Sequence, residues 1–93
     1  MRRKDGLVFR QVAGERLLVP VGERVLDLNG VLTLNQTAAY IWELLDGRHS
    51  VPEIVDAVAG EFAVEHEVAD RDVGTFLRQL AELGLVDDDQ HTI

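Results

Sequence analysis

Few side chains in this sequence have types and spacing suited to chemistry. Ser50 is the single serine, and it lies three residues before Glu53, the spacing of a helix capping box rather than of a nucleophile with its base. His49, His66 and His91 fall in a loop, a helix approach and a tail; no two share the i, i+4 spacing that puts a pair of metal ligands on one helix face. Asp87-Asp88-Asp89 could hold a hard cation weakly, but such a run near a terminus reads first as a solvated tail. The carboxylates Asp70 and Asp72 sit at ordinary helix-surface spacing. Glycines occur singly, so no phosphate-cradling loop is formed, and the absence of cysteine removes thiol catalysis, thiolate metal sites and disulfides. The expectation is a protein that is not an enzyme and uses neither metal nor cofactor.

The elements that would position any site follow from periodicity. The stretch from Val31 to Gly47, VLTLNQTAAYIWELLDG, organises the rest. A short apolar strand stops at Asn35, whose side chain can accept from an unpaired N–H of a first helical turn. Ala38, Ile41, Trp42 and Leu45 then recur at i, i+3, i+4, i+7 and define a buried helix face. A second helix begins at the Ser50–Glu53 capping box, with Pro52 in its first turn, and carries the stripe Val51, Ile54, Val55, Val58, Ala59 and Phe62. After a connection over Ala63 to Glu67, a third helix starts between Glu67 and Asp70 and runs to about Leu83. Its expected core face is Val73, Phe76, Leu77, Leu80 and Leu83, with Gly74 inside it, and Gly84 ends it. Leu85 and Val86 are expected to fold back onto the core.

Before these helices the pattern is that of strands. Met1 to Gly6 reads as a frayed, charged start. Leu7–Val12 and Arg16–Val21 flank the turn signal Ala13-Gly14, and Pro20 belongs near a strand end because it has no N–H for a ladder. Val25–Leu28 and Val31–Leu34 flank Asn29-Gly30, a hairpin signal. A two-residue loop would place Asp27 on the face of Leu32 and Leu34. A three-residue loop with Gly30 left-handed instead groups Leu26, Leu32 and Leu34, and is preferred because an unpaired buried carboxylate is costly. The order is an α+β fold, a small antiparallel N-terminal sheet followed by three α-helices, arranged like a winged helix-turn-helix. Residues 1–93 make one domain, ordered over about 7–86.

Composition narrows the partners. Net charge is −8; residues 1–34 carry six Lys/Arg against four Asp/Glu, and residues 35–93 three against thirteen. The third helix would offer DNA Arg71, Arg78 and Gln79 but also Asp70, Asp72 and Glu82, a poor phosphate-facing surface. No apolar run approaches the length of a membrane helix, and the basic start MRRKDG is followed by no apolar segment of the kind a signal peptide needs. The expected partners exclude nucleic acid and membrane, and the expected location is cytoplasmic.

From Phe9 to Val86 the chain resembles the PqqD-like family, whose founding member serves pyrroloquinoline quinone biosynthesis. The resemblance is carried by Leu34-Asn35-Gln36-Thr37, by Ile41-Trp42-Glu43-Leu44-Leu45-Asp46-Gly47, by the Val51–Ile54 helix start, and by Asp72-Val73, Phe76-Leu77, Leu80 and Gly84-Leu85-Val86. It implies a non-catalytic domain that binds the leader segment of a ribosomally made precursor peptide and presents it to a modifying enzyme, often a radical S-adenosylmethionine enzyme. In that family the leader adds as a strand to the sheet and drops side chains into a groove against the third helix. Carried over, the pairing edge is Val31, Leu32, Thr33 and Leu34, and the helix side of the groove is Asp72, Thr75, Phe76 and Gln79. Of these last four, Asp72 matches the family pattern and the others follow from helical geometry. Phe76 also reads as core. A strand at Val25–Leu28 paired beside Val31–Leu34 would compete with a leader for the same edge. The competing functions are a winged-helix DNA-binding regulator and a structural subunit that self-associates through that edge.

Overall fold

A computed structural model describes residues 2–4, 6–22 and 30–87. Along the chain these form β1 (Arg2–Arg3), β2 (Leu7–Val12), β3 (Glu15–Pro20), β4 (Leu32–Leu34), α1 (Gln36–Leu44), α2 (Val51–Phe62), α3 (His66–Glu82) and β5 (Val86–Asp87). An antiparallel three-stranded sheet in the order β2-β3-β4 thus precedes three helices, as the sequence pattern requires of an α+β domain.

The sheet has one buried face. Leu18 stands opposite both Phe9 on β2 and Leu32 on β4, and it is fully buried. Because side chains alternate along a strand, Leu32 and Leu34 point the same way, toward the core, while Thr33 is exposed. Leu34 is 6% exposed. The β2–β3 loop is Ala13-Gly14, with φ of 51° and 82°, the left-handed pair that matches the twist of a two-residue hairpin. Pro20 closes β3, where a missing N–H interrupts nothing further. Strand Val25–Leu28, its register against Val31–Leu34 and the burial of Leu26 and Asp27 lie outside the described residues. Gly30 is described, and its φ of 111° is one that favours glycine.

The helices close over the sheet with the faces read from periodicity. On α1, Ala38, Ile41 and Trp42 are buried, and the following Leu45 is wholly so. On α2, Ile54, Val55 and Val58 form the buried stripe, with Val51, Ala59 and Phe62 half-buried against it. The Ser50 hydroxyl accepts from the Glu53 amide at 3.2 Å, and the Glu53 carboxylate accepts from the Ser50 amide at 2.7 Å, so the capping box is complete. On α3, Ala69, Val73, Leu77 and Leu80 face inward. Leu85 and Val86 return to the core, at 0% and 7% exposure.

Two expectations are corrected. Arg2, Arg3 and Lys4 are tied down, since Arg2–Arg3 pairs antiparallel with Val86–Asp87, the Arg3 amide donates to the Leu45 carbonyl at 3.0 Å, and the Lys4 amide donates to the Leu85 carbonyl at 2.9 Å. Leu83 lies past the end of α3 and is 41% exposed, and Phe76 is half-buried; the inward face of α3 rotates toward Ala69 and Val73 and carries both of them to its edge.

Candidate functional site

Strand β4 pairs with β3 through Arg16 opposite Leu34, Leu17 opposite Thr33 and Leu18 opposite Leu32. Among the described residues it has no second strand partner. An unpaired edge presents a row of N–H and C=O groups to whatever lies beside it. Beside β4 lies a groove of about 480 Å³ running between that strand and α3. Leu32, Thr33, Leu34 and Asn35 line one wall; Arg71, Asp72, Thr75, Phe76, Gln79, Leu80 and Leu83 line the other; Thr37, Ala38 and Ile41 of α1 close the bottom.

Each wall has a local cause. Asn35 ends β4 in an extended conformation, and its Oδ1 accepts from the Ala38 amide at 2.7 Å, so strand and helix meet at a fixed angle. On α3, the lining residues recur at three- and four-residue steps from Asp72 through Thr75 and Phe76 to Gln79, a stripe adjoining the core face that Leu83 continues just past the helix end. Leu34, Ala38, Ile41, Leu80 and the half-buried Phe76 provide an apolar floor. Thr33, Asn35, Thr37, Arg71, Asp72, Thr75 and Gln79 provide polar atoms. Apolar pockets with a few polar groups of this kind bind by burying side chains and orient them by hydrogen bonds.

Seven of the eight residues singled out from the sequence therefore line one groove: Leu32, Thr33, Leu34, Asp72, Thr75, Phe76 and Gln79. Val31 does not; it precedes β4 and is 52% exposed. Sequence reasoning did not name Asn35, Thr37, Ala38, Ile41, Arg71 or Leu80 as groove residues and assigned Leu83 to the core. The signal for Leu83 was available, because it continues the Asp72–Phe76–Gln79 stripe by one more turn. Asn35 and Ile41 gave none, because capping and core packing already account for them.

Among the described residues no group of three or more His, Cys, Asp or Glu side chains is arranged to hold a metal ion. His91, Asp88 and Asp89 lie outside the described residues. His49 and Asp46 meet at 3.0 Å, and His66 and Asp56 at 3.1 Å, but neither pair lines the groove. The Asp46 carboxyl is lowered to about 2, chiefly by the Arg48 amide it accepts from and then by its hydrogen bond with His49. Both effects stabilise the carboxylate that terminates the α1 loop. No helix among the described residues is long and apolar enough to cross a membrane.

The architecture defines a class: a small α+β domain in which a strand, partnered on one side among the described residues, faces a helix across a groove. The family model of coenzyme PQQ synthesis protein D (PqqD) matches residues 22–86, and the chain belongs to that family. None of the curated proteins compared matches it. Among solved structures, it is similar to TbiB1 in complex with the TbiA(beta) leader peptide, at 29% identity over 94% of this chain and 95% of that one, with a TM-score of 0.73. It is also similar to a lasso peptide synthetase B1 complexed with its leader peptide, at 26% identity over 90% and 93% of the two chains, with a TM-score of 0.71.

Proposed function

We infer that this protein recognises the leader segment of a ribosomally made precursor peptide and presents that peptide to a modifying enzyme, without itself catalysing the modification. The observation that carries the reading is the edge of β4 beside the groove it shares with α3, in a fold shared with two solved structures that hold leader peptides. An extended leader laid along Leu32–Leu34 would gain backbone hydrogen bonds whatever its sequence, and alternate side chains would enter the groove and supply selectivity. Apolar leader residues suit Phe76, Ile41 and Leu80, and polar or charged ones suit Arg71, Asp72 and Gln79. Val31, just before the paired strand, would meet the leader at its margin.

The family resemblance favours a radical S-adenosylmethionine enzyme as the recipient. The lasso peptide synthetase B1 neighbour favours the enzymes of a lasso-type pathway instead. The cytoplasm, where precursor peptides are translated, is the compartment this role requires, and a chain without cysteine suits it.

Fluorescence anisotropy with labelled leader peptides from precursors encoded near this chain tests the reading. Saturable binding, competed by unlabelled leader and not by the modified core segment, supports it. No saturable binding of any such leader would contradict it.

A further inference from the structure

The three-stranded sheet has a second edge. Strand β2 pairs with β3 and, among the described residues, with no other strand. Edge strands are usually blunted by charge, proline or a covering element. Here β2 bears a single charge, Arg10, and Val8 and Val12 are exposed at 37% and 53%.

A cavity of about 520 Å³ opens beside the start of this strand. It is lined by the half-buried Phe9, by the buried Trp42 and Leu45, and by Arg2, Arg3 and Lys4. Two of these cations are positioned rather than splayed. The Arg3 guanidinium lies 5.6 Å from the centroid of the Trp42 ring, within cation–π range. The Arg2 side chain lies so close over Gly47 that a Cβ there would stand 2.9 Å from its Nε. Asp46 also lines the cavity, but its carboxylate is already engaged by the Arg48 amide and His49. In a chain of net charge −8, a preformed basic concavity selects for an anionic occupant.

We propose that the outer edge of β2 and this basic cavity together bind an extended acidic segment of the modifying enzyme. The segment's backbone pairs along Leu7–Val12, its carboxylates meet Arg2 and Arg3, and one apolar side chain rests on Phe9. Naming the enzyme as the source rests on the function proposed above; the site itself does not. The edges of β2 and β4 are two strand spacings apart, roughly 10 Å, so leader and enzyme segment occupy opposite margins of one sheet at the same time. The sheet then acts as the bridge between substrate and catalyst.

The test uses the full chain and a short synthetic peptide of alternating glutamate and leucine, with a lysine–leucine peptide and a single-stranded oligonucleotide of matched charge as comparisons. Backbone amide shifts report each margin separately. The expected result is shifts at Leu7–Val12 and a changed Trp42 emission with the glutamate peptide, no shifts at Leu32–Leu34, and affinity that falls about tenfold from low to physiological salt. The double substitution Arg2→Ser with Arg3→Ser weakens binding by about tenfold, the loss of roughly 1.4 kcal/mol. Should that variant fail to fold, the location of the shifts and the salt dependence in the unmodified chain still decide the matter. Equal binding of the lysine peptide, equally tight oligonucleotide binding, or shifts confined to Leu32–Leu34 overturns the proposal. Leader binding at β4 is read in the same spectra, so failure at one margin is distinguishable from failure at the other.

Discussion

Asn35 Oδ1 accepts a 2.7 Å hydrogen bond from the Ala38 amide, and this contact joins the strand that walls the groove to the helix that floors it. Replacing Asn35 with Ala removes a helix N-cap and should cost about 1 kcal/mol of stability, within a range of about 0.5–2. Asn35→Ser, which keeps an acceptor, should recover most of it. Urea unfolding of the three proteins checks the order.

Trp42 is 3% exposed on the buried face of α1 and lies beneath the Arg3 guanidinium. Trp42→Ala should destabilise the fold by about 3–5 kcal/mol, a large part of what a small domain possesses. The native protein should show the blue-shifted emission of a buried indole, lost on unfolding.

Ala13 occupies the left-handed region at φ 51°, where a β-carbon is strained. Ala13→Asn, which completes the Asn-Gly pair favoured in this hairpin, should raise stability by about 1 kcal/mol. The gain is measured as an increase in Tm with no change in leader affinity, because the turn lies outside the residues lining the groove.

Asp46 gives a pH dependence. Its folded-state value, about 2, is below the ordinary 3.8, so the carboxylate stabilises the fold above the ordinary value, and that contribution is lost as pH falls through the folded one. The Tm difference between the protein and its Asp46→Asn variant should be largest above pH 3.8 and should shrink as pH falls toward 2. A difference that grows with acidity would reverse the assigned sign.

Phe76 lines the groove while packing half-buried against the core. Phe76→Ala should weaken leader binding by about 2 kcal/mol, roughly thirtyfold in Kd, as loss of a buried aromatic anchor does. Gln79→Ala, at the polar rim, should cost much less. Calorimetric titration of both variants checks the contrast, with circular dichroism to confirm that each is folded.

These residues also mark how far the sequence was readable. The α1 and α2 faces were legible because amphipathic periodicity and two side-chain caps, at Asn35 and Ser50, agreed on boundary and orientation. The start of α3 was not. Glu65 occupies its N-cap position without a side-chain hydrogen bond, and α2 ends on Ala63 in a left-handed conformation that an alanine does not announce. The β1–β5 pairing was illegible for a different reason: it depends on backbone groups more than eighty residues apart, and two-residue strands carry no pattern. The strand wall of the groove and Asp72 were marked only by the family resemblance, whereas Thr75, Phe76 and Gln79 followed from helical spacing beside a periodic core face. The floor of the groove was hidden in Ala38 and Ile41, whose core role leaves no separate trace.

The central claim is that a leader peptide pairs with the edge of β4. Amide hydrogen exchange of the chain, measured with and without a saturating leader peptide, tests it most directly. The account predicts slowed exchange at Leu32–Leu34, where edge N–H groups gain partners, together with protection along Asp72–Leu83 as the groove fills. Saturated binding that leaves exchange at Leu32–Leu34 unchanged would contradict it.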